Sequence, residues 1–151
     1  MSIREATIKD IPGLFSVRMS VKENVLNTPA LVTDEICADY LVNKGKGWVY
    51  EADNKIVGFA IVDIIENSVW ALFVRPEYEG RGIGFRLHNT MMSWYFTQTT
   101  ITAWLTTDTG TRAEQFYLKA GWRKTGKAKG NEVKLEMNLA GWNKLYAANI
   151  S

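Results

Sequence analysis

At 151 residues and 46% hydrophobic content, the chain has the length of one domain with a real core, and no apolar run approaches a membrane span. A net charge of +2 promises no bulk attraction to nucleic acid. One cysteine excludes an internal disulfide framework, and one cysteine with one histidine excludes a zinc site of N and S ligands within the chain. The start, Met1-Ser2-Ile3-Arg4-Glu5, is charged almost at once and does not read as a secretory leader. A single domain over 1–151, cytoplasmic, without a membrane or nucleic-acid partner and without a metal, is expected.

Residues 3 to 8 alternate as a first strand. Asp10 is a good N-cap for a helix with Pro12 in its first turn, where the missing N–H costs nothing. Ile11, Leu14, Phe15, Val17, Val21 and Val25 make its apolar stripe, and its end is expected near Asn27-Thr28-Pro29. A surface crossing leads to a second helix from about Thr33 to Asn43, with Ile36, Cys37, Tyr40 and Leu41 on one face. Trp48 to Ala52 and Ile56 to Ile65 read as a hairpin about Asp53-Asn54-Lys55, and Glu66-Asn67-Ser68 turns the chain into the apolar run Val69 to Val74.

That run stops before Pro76, crosses a charged turn and reaches Gly80-Arg81-Gly82-Ile83-Gly84. A helix follows, with Ile83, Leu87, Met91, Trp94 and Tyr95 at three- and four-residue steps; His88 reads as one of its ordinary, partly buried residues. The opening N–H groups of a helix lack internal partners and carry the positive end of the dipole, so they favour an anion. Glycine there lets a phosphate reach the backbone itself. The dinucleotide fingerprint G-x-G-x-x-G fails in both registers, because Gly80-x-Gly82 is followed by Phe85 and Gly82-x-Gly84 by Leu87. A near match to the P-loop at Gly121 to Lys127 ends on Ala128, which has no hydroxyl for a metal, and it follows a helix. The stretch reads as a phosphate cradle of another kind.

Thr99 to Thr107 is β-rich and should lie parallel to the strand before the glycines, because a helix joins them. Thr111-Arg112-Ala113-Glu114 has the form of a capping box, Ala113, Phe116, Tyr117 and Ala120 continue as a helical stripe, and Gly121 is a stop. Strands around Trp122 to Thr125 and Val133 to Leu139 would complete a sheet. The tail carries Trp142, Leu145 and Tyr146 at helical spacing and packs either on the domain or on a second copy, which leaves a homodimer open.

Two motifs then carry a resemblance. Val74-Arg75-Pro76-Glu77-Tyr78 followed by Gly82-Ile83-Gly84 resembles the acyl-coenzyme-A loop of the GNAT N-acetyltransferase superfamily, V-x-P-x-Y with [QR]-x-x-G-x-[GA]. Ala113-Glu114-Gln115-Phe116-Tyr117-Leu118-Lys119-Ala120-Gly121-Trp122 resembles its A-x-x-F-Y-x-x-x-G-[FW] pattern, in the family's order and spacing. The resemblance covers nearly the whole chain. It implies an α+β fold: a mixed, mostly antiparallel sheet of six to seven strands flanked by about four helices, with two parallel central strands that splay to admit the donor.

The activity implied is transfer of an acyl group, acetyl above all, from acetyl-CoA to a primary amine on a small molecule or a peptide. On this resemblance Leu72, Phe73 and Val74 line the pantetheine arm, Gly80, Arg81, Gly82, Ile83, Gly84 and Phe85 hold the pyrophosphate, and Tyr117 is the general acid. The first two helices wall the acceptor side, so Arg18, Met19, Glu23 and Asn24 are candidate acceptor contacts, with Trp70 and Trp104 as aromatic walls. Three positions depart from the pattern: Glu79 replaces Gln or Arg, Leu105 a glutamate found in some members, and Gly110 an asparagine. The base is left open among Asp108, Asp63, Glu66 and water. The alternative is a coenzyme-A-binding module of the same fold without chemistry; single-stranded nucleic-acid binding through the many aromatics is a weaker rival.

Overall fold

The structure, a computed structural model, describes residues 2–21 and 33–146, and the chain divides into two compact units at residues 95 and 96. In the first, β1 (Ser2–Glu5), β2 (Gly45–Ala52), β3 (Lys55–Asp63) and β4 (Ser68–Val74) pair in succession as an antiparallel meander. The β2–β3 hairpin turns on Asp53 and Asn54, both at positive φ (53° and 60°), which matches the right-handed twist of the strands it joins. One face of the meander is covered by α1 (Ile11–Ser20) and α2 (Asp34–Asp39). Ile11, Leu14, Val17 and Cys37 pack there on Val49, Phe59, Ile61 and Ala71. Each large aliphatic side chain so buried stabilises the fold by roughly 2 kcal/mol.

Of the residues its periodicity picks out, helix α3 (Ile83–Gln98) buries Ile83, Leu87, Met91 and Tyr95, while Trp94 is half-buried. His88 is fully buried rather than partly so.

Several local expectations shift. The first strand ends at Glu5, and Ile8–Asp10 is a 3-10 turn. Asp10 does not cap the next helix with its side chain, because that carboxylate is taken by Arg4 at 2.8 and 2.9 Å and by the Thr7 N–H at 2.8 Å. Helix α1 stops at Ser20, where Val21 turns extended; Val25 and the expected end at 27–29 lie outside the described residues. The second helix loosens after Asp39 into a π-helical turn, Tyr40–Lys44.

In the second unit β5 (Ala103–Asp108) pairs antiparallel with β7 (Glu132–Met137), and β7 with β6 (Arg123–Lys127). Every residue of β6 is exposed. Helix α4 (Arg112–Lys119) starts as the capping box predicts: the Thr111 hydroxyl accepts from Glu114 N–H at 3.3 Å. The Glu114 carboxylate reaches one residue further back, to Gly110 N–H at 2.9 Å. Gly121 ends the helix at φ 104°, and a Cβ there would lie 2.1 Å from Leu145 of α5 (Leu139–Leu145). Only glycine meets both demands. No described helix is long and apolar enough to cross a membrane, and no described group of His, Cys, Asp and Glu could hold a metal ion.

Candidate active site

The glycine loop has a defined entry. Pro76–Tyr78 forms a 3-10 turn, and the Tyr78 hydroxyl donates to the Asp53 carboxylate on the β2–β3 hairpin. That hydrogen bond, with burial, raises the phenol's pKa and keeps the bond donating. The Arg81 guanidinium lies 4.8 Å over the Tyr78 ring. Beyond this anchor Gly80 and Gly82 take φ of 77° and 81°, and a Cβ at either would meet nothing within 4 Å. The loop therefore opens outward instead of packing. Tyr78 and Glu79 donate their N–H groups to Arg75 and Pro76 carbonyls, whereas no described turn or loop carbonyl accepts from Gly80, Gly82, Ile83 or Gly84. Those amides sit at the start of α3, where the dipole adds its positive end. Phe85 stands 39% exposed beside them, 6.0 Å from the His88 ring.

Strand β4 leads into this loop and is itself half open: of Ser68 to Val74 only Ala71 is buried, while β3 beside it is buried from Val57 to Asp63. An apolar strand with this exposure suits a ligand lying along it, and Leu72, Phe73 and Val74 are all half-buried. The ladder slips between Ile61 and Val62, where Trp70 is the extra residue. The bulge places Trp70 with Ala71 against the same core cluster, and its indole stacks on Tyr40 at 4.0 Å. Phe73 lies on this face too, with the Arg18 guanidinium 4.2 Å over its ring. Arg75 ties the face together through the Ser16 hydroxyl and the Ile56 carbonyl. Met19 points outward at 53% exposure. Glu23 and Asn24 lie outside the described residues.

In the second unit Tyr117 is buried on α4 with its ring edge-on to Phe116 at 5.3 Å and to Trp122 at 5.6 Å. Burial pushes its phenol well above the ordinary tyrosine range, so it stays protonated at neutral pH. Leu105 is buried, and half-buried Trp104 carries Lys134 5.3 Å from its ring.

The carboxylates considered as bases differ. Asp63 is buried and accepts from Ile65 and Glu66 N–H groups at 2.8 and 2.9 Å, which makes it a turn residue of its own loop. Glu66 is exposed and Asp108 half-buried. Tyr40 and Asp53 escaped the motif reading: Tyr40 works through a stack with a residue 30 positions away, and Asp53 through a bond spanning 25. Only the aromatic spacing of the second helix hinted at the first.

A family model described as acetyltransferase (GNAT) matches residues 14–122. No curated protein matches the chain. Among solved structures, PaiA N-acetyltransferase from Thermoplasma acidophilum, in complex with coenzyme A, aligns at TM-score 0.77 and 18% identity over 91% of this chain and 98% of that one. Ribosomal-protein-alanine N-acetyltransferase from Brucella melitensis aligns at 0.73 and 21% over 92% and 100%. A GNAT-family acetyltransferase from Staphylococcus aureus Mu50 aligns at 0.77 and 20% over 91% and 98%. At these identities the likeness is one of fold.

Proposed function

The chain belongs to the acetyltransferase (GNAT) family, and from that premise we propose that it is an acyl-CoA-dependent N-acetyltransferase acting on a primary amine. The observation that carries this reading is the open glycine loop: left-handed Gly80 and Gly82, unobstructed space above them and amides at the head of α3 that no backbone carbonyl among the described residues claims. Backbone amides so disposed suit a diphosphate, and the half-open β4 suits the arm that leads away from it.

The donor supplies a thioester open to direct attack by a neutral amine. A backbone N–H near Leu72 and Phe73 polarises the carbonyl under attack. As the N–C bond forms, the C–S bond breaks and Tyr117 gives its proton to the departing sulfur; the raised pKa keeps that proton available. The amine's proton leaves to water or a carboxylate. Asp63 is the weakest of the carboxylates for this, because its oxygen already serves two backbone donors.

A screen of amines, amino acids and short peptides for thiol released from acetyl-CoA tests the reading. Turnover with at least one amine, falling by roughly one to three decades in Tyr117→Phe, is the expected result. Wild-type turnover in that variant removes Tyr117 from the reaction. The second reading, a coenzyme-A-binding module without chemistry, is favoured by the buried Leu105 where some members place a glutamate. It predicts coenzyme A binding with no thiol release for any amine.

A further inference from the structure

We propose that Arg18 selects the acceptor by its carboxylate, so that the amine acetylated here carries an anionic group within a few bonds of its nitrogen. This rests on the acyl-transfer reading for its site and extends it to a substrate class. Arg18 lies in the last turn of α1, and its guanidinium covers the face of Phe73 at 4.2 Å. Its Nη1 is buried and, among the described residues, has no hydrogen-bond partner.

Two other arginines of the first unit are engaged. Arg4 pairs with the Asp10 and Glu51 carboxylates, and Arg75 donates through Nη2 to the Ser16 hydroxyl and through Nε to the Ile56 carbonyl. A buried donor of a charged group left without a partner is costly, so the buried Nη1 is best explained by an anion that arrives with the substrate. Burial lowers the Arg18 pKa, yet an arginine retains its charge.

Position gives the second argument. Phe73 belongs to the end of β4 assigned to the reacting carbonyl, not to the phosphate loop, so an anion on Arg18 sits beside the acceptor and away from the diphosphate. The Tyr40–Trp70 stack flanks the same face and supplies an apolar wall for the acceptor's carbon chain.

Matched pairs differing only in the carboxylate provide the test: lysine against cadaverine, ornithine against putrescine, and a short peptide with an acidic residue beside its N-terminus against its amide counterpart. The two small-molecule pairs and the peptide pair distinguish a free amino acid from a peptide as the source. Wild type should prefer the carboxylate member of at least one pair by about 10- to 100-fold in kcat/KM. Arg18→Met, which keeps the apolar stem on Phe73, should erase that preference without changing coenzyme A affinity. Equal kcat/KM within every pair, or a preference that survives Arg18→Met, overturns the assignment. If no amine turns over, the acyl-transfer reading fails instead. The Arg18 assignment is then judged by titrating the same pairs into the coenzyme-A-loaded protein, where loss of carboxylate-selective binding in Arg18→Met upholds it and its absence in wild type refutes it.

Discussion

Gly82 and Gly121 share a left-handed backbone, at φ 81° and 104°, and have opposite surroundings. Around Gly82 a Cβ would meet open space; at Gly121 it would strike Leu145 at 2.1 Å. Both follow from backbone geometry that other residues rarely adopt, so conformation alone does not separate a ligand loop from a structural corner. The space above the Cα does. The first glycine keeps a surface clear, and the second lets a helix and a tail approach each other.

The largest effect should come from filling the occupied corner. Gly121→Ala adds a collision to an unfavourable φ, and should destabilise the protein by about 3 kcal/mol or more in urea titrations. Adding Leu145→Ala should recover the steric part and leave the conformational part. Gly82→Ala carries only the latter, about 1 kcal/mol; equal losses at the two glycines would break the comparison.

His88 provides a test on the helix that Gly82 opens. Its ring is wholly buried and its pKa is depressed to about 4 by desolvation, against about 6.5 when free. Between those values the unfolded chain binds more protons. Stability is therefore fully present above about pH 6.5 and is lost as pH falls toward 4, by up to about 3 kcal/mol. Chemical unfolding from pH 7 to 4.5 should show the decline, and His88→Leu should flatten that part of the profile.

Smaller effects belong to the open loop itself. Gly82→Val should weaken coenzyme A binding at least tenfold in calorimetric titration, near 1.4 kcal/mol, with secondary structure intact by circular dichroism. Unchanged affinity would mean the amides there do not hold the diphosphate. Asp53→Asn weakens the Tyr78 anchor below the loop, and a loss of roughly two- to fivefold in coenzyme A affinity is expected, the size of one hydrogen bond.

What could be read in advance was what is local. The stripe of α3, the Thr111 cap and the Gly121 stop all come from spacing within one element, and each stands where its chemistry puts it. Asp10 stands at the N-cap position as its spacing predicts, but its side chain does not cap, because Arg4 lies on a strand and outbids the helix for the carboxylate. Edge strand β6 is exposed at every position from Arg123 to Lys127, so it lacks the apolar alternation that announces a strand; its limits come from the ladder with β7. The glycine loop was legible as a motif, but its anchor on Asp53 was not, since that bond crosses 25 residues. Trp70 lands on the α1 face only because of a one-residue slip against β3, which no periodicity of its own strand encodes.

Cys37, sealed between α2 and the meander, has a thiol pushed up to about 11 by burial. A disulfide reagent that colours on meeting free sulfhydryls should therefore find the native protein silent, and any signal during an acetylation assay would report the liberated product alone.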